Sequence, residues 1–75
     1  MKLTKAEVEA DLNATELDIE ALDRIVQNLR FFIQASHGED RSAFRVDLLK
    51  YEALAEQART LRTRIRRVMS SVTLD

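Results

Sequence analysis

The stretch "SHGEDRS", residues 36–42, is the strongest interruption in a sequence that otherwise favours helix. Gly38, the single glycine of the chain, suits the left-handed backbone position that closes a helix. Asp40 or Ser42 can then cap a second helix, because their side-chain oxygens accept hydrogen bonds from free backbone N–H groups. This stretch therefore divides the chain into two helices and decides the fold.

The segments on either side of this break are both long. The chain contains no proline, and 33% of its residues are charged, a composition that favours exposed helices. Thr4 followed by Glu7 predicts a capping box at the start of the first helix. We predict helix 1 at about 5–36, a loop at about 37–41 and helix 2 at about 42–72.

Both predicted helices carry apolar residues at alternating steps of three and four, the spacing of a heptad repeat. In helix 1 the repeat comprises Val8, Leu12, Thr15, Ile19, Leu22, Val26, Leu29 and Ile33. In helix 2 it comprises Phe44, Asp47, Tyr51, Leu54, Ala58, Leu61, Ile65, Val68 and Val72. Because the break is short, the sequence predicts an all-α fold, an antiparallel two-helix hairpin whose heptad faces pack together.

Further apolar residues fall outside the predicted contact between the helices. Alanines among them are explained by their high helix propensity, but large apolar side chains are not. Outside the contact, the residues that we expect to meet another chain are Leu17, Phe31, Phe32, Val46 and Leu49. Tyr51 lies in the heptad repeat itself, and we expect it to meet another chain because its hydroxyl needs a partner. A lone hairpin of this size buries little core. We therefore expect it to associate into a four-helix bundle or a larger helical oligomer.

The charged residues are distributed unevenly along the two helices. The first half of helix 1 is acidic, whereas "QARTLRTRIRRV", residues 57–68, contains five arginines. Folding the chain at Gly38 brings these halves together, and we expect Arg62 to face Glu16. Arg64 is expected to lie near acidic residues on the other flank of the contact. Exposed pairs of this kind contribute little free energy, so their expected role is to select orientation and register.

The arginines that remain are Arg59, Arg66 and Arg67, which we expect to point outward. An exposed helical strip of arginines is a candidate for anion or nucleic-acid contact, because each can bind a phosphate. In architecture alone, the chain resembles small helical-hairpin dimers that bind RNA. The formal net charge of −1 gives no overall attraction for polyanions, however, and no aromatic residue is interleaved with the arginines. Nucleic-acid binding is therefore the alternative interpretation.

The residue types needed for catalysis or metal binding are scarce. The chain has no cysteine, and its single histidine, His37, lies at a predicted helix end. Cys–His catalysis and cysteine-based zinc sites are excluded, and the Glu-x-x-His motif of di-iron bundles is absent from the sequence. We therefore predict no enzymatic activity, no cofactor and no metal.

The sequence also bears on location. The charged start "MKLTKAEVEADL", residues 1–12, is unlike a signal peptide. No uncharged run approaches the ~20 residues that a membrane-spanning helix needs, so we expect no membrane partner. The absence of cysteine fits a reducing compartment, and we expect a cytoplasmic protein.

Together these features predict a single domain over residues 1–75 that is a non-enzymatic protein–protein interaction module. It would serve as a small adaptor, an assembly subunit or an inhibitor, with itself and then another protein as partners. Two alternatives remain open. One is a nucleic-acid-binding regulator that uses the outward arginines of helix 2, and the other is an oligomer that binds a small anionic ligand between protomers.

Overall fold

The computed structural model describes residues 3–71 and shows an all-helical hairpin, as the sequence predicts. Helix α1 spans Lys5–Ala35 and helix α2 spans Gly38–Ser71, and the two helices pack against each other. Only Ser36 and His37 connect them. The molecule measures 55 × 19 × 14 Å, so it is a flat ribbon, two helices wide and one helix thick.

The first helix begins where the sequence predicts it. Thr4 has an extended backbone, and its hydroxyl oxygen accepts a hydrogen bond of 3.2 Å from the N–H of Glu7. Its carbonyl oxygen accepts a further hydrogen bond of 3.1 Å from the N–H of Val8. Thr4 is therefore confirmed as the N-cap, which satisfies one of the N–H groups that the first helical turn leaves free.

The connection between the helices is shorter than predicted. Gly38 has a φ of 61°, the positive value expected of it, but it is already the first residue of α2. A glycine in this conformation reverses the chain within two residues, so the expected loop over 37–41 does not form. Neither Asp40 nor Ser42 caps the helix. Asp40 lies in its first turn, and the hydroxyl of Ser42 donates to the carbonyl oxygen of Gly38 at 3.4 Å.

Arg41 braces this connection from α2. Its Nε–H donates to the carbonyl oxygens of Ser36 at 2.9 Å and Ile33 at 3.1 Å. These oxygens lie at the end of α1, where carbonyl groups lack a helical N–H partner and the helix dipole is negative. The guanidinium therefore satisfies the end of one helix from the start of the other.

The core of the hairpin lies along one face of α1. All eight residues of the predicted repeat in this helix are buried or half-buried. The buried ones are Val8, Thr15, Ile19, Val26 and Leu29. In the described part of α2, Ala55 alone is buried, and no side chain within residues 3–71 is fully enclosed. The two helices thus share a core too thin to surround a large side chain.

The face of α2 that packs on α1 differs from the predicted one. Asp47, Leu61 and Val68 were expected at the contact, but they are exposed. The buried and half-buried positions of α2 are Arg41, Phe44, Leu48, Tyr51, Leu54, Ala55, Ala58, Arg59, Arg62, Ile65 and Met69. One row of the predicted face is displaced by one residue, because Arg62, which periodicity assigns to the surface, packs its aliphatic stem at the contact. Val72 lies outside the described residues.

Arg62 brings a polar group into this contact. Its Nε is buried and has no hydrogen-bond partner among the described residues. The register set by the pair of Glu16 with Arg66 places Arg62 level with Ile19 and Glu20, about one turn from Thr15, the buried polar residue of α1. The hydroxyl of Thr15 donates to the carbonyl oxygen of Asp11 at 2.8 Å, so its hydrogen is committed to its own helix. A buried donor without a partner costs free energy, which weakens the hairpin at this level.

Candidate protein-interaction surface

The ribbon has two broad faces, one on each side of the contact between its helices. Successive residues turn about 100° around a helix axis, so the residue after a contact position and the residue before it lie on opposite faces. Because the contact positions follow a seven-residue repeat, each face is a row of residues spaced seven apart on both helices. We name them the ionic face and the apolar face.

The ionic face is formed by Glu16, Asp23, Arg30, Glu52, Arg59 and Arg66. Arg66 donates to the Glu16 carboxylate at 2.9 Å, and Arg59 donates to Asp23. The third pair, nearest the connection, is that of Arg30 with Glu52, whose charged groups lie 3.6 Å apart. All six side chains are 41–61% exposed, so each pair contributes only about 0–1 kcal/mol. Their main effect is to disfavour a shifted or parallel arrangement of the helices.

These pairs differ from the expected ones. Glu16 pairs with Arg66 and not with Arg62, because Arg62 lies at the contact between the helices. Arg64 forms no ion pair within residues 3–71, so its expected contact with acids of its own α1 is absent there. The displacement of the α2 face by one residue accounts for both differences.

The three arginines predicted to be free for anion or nucleic-acid contact are not equivalent. Arg59 and Arg66 are held by acids of α1, contrary to their expected outward direction. Arg59 also lies 4.0 Å from Glu56. Arg67 is exposed and forms no ion pair among the described residues. The structure therefore does not arrange the three as a strip of unpaired positive charge.

The apolar face is formed by Ile25, Phe32, Leu54, Leu61 and Val68, and its rows also contain Asp11, Asp18 and Asp47. Leu54 is half-buried, whereas Ile25, Phe32, Leu61 and Val68 are 37%, 42%, 49% and 47% exposed. Exposed apolar groups that lie side by side mark interaction sites on soluble domains. Of these apolar residues, only Phe32 was predicted to meet a partner, because the heptad repeat assigned Leu54, Leu61 and Val68 to the interior of the hairpin. The signal that was available is the seven-residue spacing of Leu54, Leu61 and Val68 beside a second, equally spaced row.

Three aromatic rings extend the apolar face at the end near the connection. The centroid of the Phe32 ring lies 5.5 Å from that of Phe44 and 6.1 Å from that of Phe31. Phe44 is half-buried between the helices, while Phe31 is 65% exposed. Aromatic contacts at these separations are favourable. They form a continuous apolar path from the core to the surface.

The other residues predicted to contact a partner do not form one patch. Leu17, Val46 and Leu49 are 66%, 68% and 71% exposed, but they lie on different sides of the ribbon. Leu17 is on the outer side of α1, Val46 is on the outer side of α2, and Leu49 is beside the ionic face. Tyr51 is half-buried between the helices, with the ammonium of Lys50 5.9 Å from its ring centroid.

The ionic face contains an open groove of about 410 Å³ above Val26 and Ala55. Its charged walls include Asp23 and Arg59, which already pair with each other, so the groove offers little free charge to a small anion. Within residues 3–71, no three side chains of the metal-ligating types come close enough together to hold a metal ion. In this groove the charges of Asp23 and Arg59 pair with each other, whereas the exposed apolar side chains of the apolar face have no partner of this kind within residues 3–71.

Comparison of the chain with protein-family models, with curated proteins and with solved structures finds no match. Neither helix, over its described residues, combines the length and the apolarity that crossing a membrane requires. What the chain does must therefore follow from its own surfaces and charges.

Proposed function

We propose that the chain is a non-enzymatic protein–protein interaction module that acts as a helical homo-oligomer, with its apolar face covered by a second copy. The observation that carries the proposal is the apolar face itself. Four of its large side chains are exposed on one side of a molecule with no fully enclosed side chain in residues 3–71. In this role the protein would serve as a small adaptor, an assembly subunit or an inhibitor.

The exposed area supports a second copy as the occupant. The chain exposes 5841 Å², whereas a compact monomer of 8.6 kDa exposes about 4,700 Å². The excess is therefore about 1,100 Å² per copy. Covering it on two copies buries about 2,200 Å² in total, which is the size of a permanent homodimer interface.

The shape of the hairpin supports the same conclusion. A ribbon one helix thick gives each helix a single packed neighbour. Stacking a second ribbon on the apolar face gives each helix two neighbours and produces a four-helix bundle. The seven-residue spacing of Leu54, Leu61 and Val68 suits the side-by-side packing of helices in such bundles.

The charges favour a protein partner over nucleic acid. Two of the three candidate arginines, Arg59 and Arg66, are partly neutralised by acids of the same hairpin. A phosphate backbone would have to compete with those carboxylates for each contact. A second apolar ribbon meets no such competition on the apolar face.

Light scattering after gel filtration tests the proposal. At micromolar concentration, we expect the wild type to have the mass of at least two chains. The variant Leu61→Glu/Val68→Glu should have the mass of one chain, 8.6 kDa, because association would bury carboxylates without partners. Thr60→Glu/Thr63→Glu adds the same charge to exposed positions of α2 outside the apolar face, and it should keep the wild-type mass.

Two results would contradict the proposal. A wild type that has the mass of one chain, stays helical by circular dichroism and melts at the same temperature on dilution does not self-associate. Equal dissociation of the Leu61→Glu/Val68→Glu variant and its control would show that the apolar face is not the contact.

A further inference from the structure

We propose that two hairpins stack with their connections at the same end, so that α1 of each copy lies over α2 of the other. This inference rests on the proposed self-association through the apolar face and adds its orientation. The determinants are two charged residues at the apolar face that form no ion pair within residues 3–71, Asp18 of α1 and Arg64 of α2. The partner is therefore a second copy in one defined orientation.

The positions of these residues follow from the contacts of the hairpin. Asp18 immediately precedes Ile19 at the helix contact, so it shares the row of Ile25 on the apolar face. Arg64 follows Leu61 by three residues, which places it on the same side of α2, whereas Arg67 lies seven residues after Thr60, on the outer side of this helix. Asp18 and Arg64 thus border the same apolar surface.

Neither residue forms an ion pair within the described residues. Within one copy, the exposed side chain of Leu61 lies between them. The charges that do meet between the two helices, such as Glu16 and Arg66, are on the ionic face. The apolar face therefore presents an aspartate at one edge and an arginine at the other, and a partner of opposite pattern would match both.

A second copy supplies that pattern in one orientation only. The pair of Glu16 with Arg66 fixes the register, and by this register Arg64 lies level with Asp18. A twofold axis parallel to the helices preserves these levels and exchanges α1 for α2. Asp18 of each copy then faces Arg64 of the other, so four charges form two pairs across the interface.

The opposite orientation lacks these contacts. With the connections at opposite ends, each helix lies over its own equivalent, and the acidic half of α1 does not reach the arginine-rich half of α2. Charge complementarity across an interface selects between such orientations, because unmatched or like charges disfavour the wrong one. The same-end arrangement is therefore the one that the four charges favour.

Charge reversal tests this orientation. The acid-reversed variant is Asp18→Arg, and the arginine-reversed variant is Arg64→Asp. Each alone should have the mass of one chain at a micromolar concentration at which the wild type associates, because like charges would then meet across the interface. An equimolar mixture should regain the mass of two chains, with one of each variant, which native mass spectrometry identifies.

The mixture separates contacts between copies from contacts within a copy. Pairing within one chain cannot be restored by a second chain, so recovery on mixing supports the proposal. The variant Glu20→Arg reverses the same amount of charge on an exposed position of α1 outside the apolar face, and it should associate as the wild type does.

The failure of this inference is distinguishable from the failure of the proposed function. If the wild type has the mass of one chain, self-association itself is overturned. If the wild type associates but either reversed variant also does so, or the mixture stays monomeric while circular dichroism shows both variants folded, the orientation is overturned and self-association stands.

Discussion

The two faces of this ribbon follow the same seven-residue spacing, but only one of them has its side chains paired within a single hairpin. On the ionic face, Arg66 meets Glu16 and Arg59 meets Asp23 inside a single hairpin. On the apolar face, Leu61 and Val68 remain about half exposed. Two helices suffice for an ion pair, because water solvates the sides of the charges that the protein does not cover. Two helices bury a leucine at their contact, such as Leu29, but leave Leu61 beside the contact half exposed, so the apolar face is the one that we propose a partner covers.

The expected contributions to stability are also smaller for the ionic face than for the apolar face. An exposed ion pair contributes about 0–1 kcal/mol, whereas full burial of a leucine or isoleucine side chain contributes about 1.5–3 kcal/mol. The face that already has its contacts should therefore matter less to stability than the face that lacks them.

The largest expected effect comes from shortening the apolar face. Ile25→Ala/Leu61→Ala should lower the free energy of unfolding by about 2–4 kcal/mol, because the removed carbons are covered in the assembled state. Urea denaturation monitored by circular dichroism measures this loss. Since assembly contributes to stability, the wild-type midpoint should rise with protein concentration, and the rise should be smaller in the variant.

The matched control removes similar side chains from the outer positions. Leu17→Ala/Leu49→Ala truncates residues that are 66% and 71% exposed and outside the apolar face. Its unfolding free energy should stay within about 0.5 kcal/mol of wild type. Equal losses in the two double variants would mean that the apolar face is no more buried in solution than the outer surface.

A smaller effect of opposite sign is expected at Arg62, between the two faces. Arg62→Leu should raise the free energy of unfolding by about 1–2 kcal/mol, because it removes a buried Nε that has no partner within residues 3–71. Thr63→Leu, at the next and exposed position, should change it by less than about 0.5 kcal/mol. A loss of stability in Arg62→Leu would show that the guanidinium is satisfied in solution.

The smallest effect is expected on the ionic face. Asp23→Asn/Arg59→Gln should cost at most about 1 kcal/mol, because both side chains are 41% exposed and remain partly solvated. The cost should disappear in about 1 M salt, where exposed charges are screened over ~3 Å. Thermal melts at low and high salt measure the difference. A cost above that of Ile25→Ala/Leu61→Ala would reverse the ranking of the two faces.

The features that local sequence determines were predictable. The hairpin follows from one glycine in a chain without proline, and the N-cap follows from Thr4. The buried face of α1 was predictable because its repeat is interrupted by Thr15 alone, a residue small enough to remain in place when buried. In each case, residues that are close together in the sequence determine the structural feature.

The features that depend on contact between the helices were not predictable. In α2, the row through Leu61 and the row through Arg62 are one residue apart, and hydrophobicity favours the wrong one. Packing on α1 decides between them. The aliphatic stem of Arg62 packs at the contact, although the charged group at its end disfavours burial. Most of the apolar face was not predicted for the same reason, because Leu54 and Leu61 were assigned to the core and therefore not counted as surface residues.

The two-residue connection also determines how the hairpin closes. Arg41 reaches the carbonyl of Ser36 across five residues, Arg59 reaches Asp23 across 36, and Arg66 reaches Glu16 across 50. Forming the last contact directly from an open chain would require a large loop to close at once. Once the turn is made, each further contact encloses only a few more residues, and the entropy of loop closure grows only logarithmically. We therefore expect the two helices to pair from the turn outward, and to separate first at the opposite end of the hairpin.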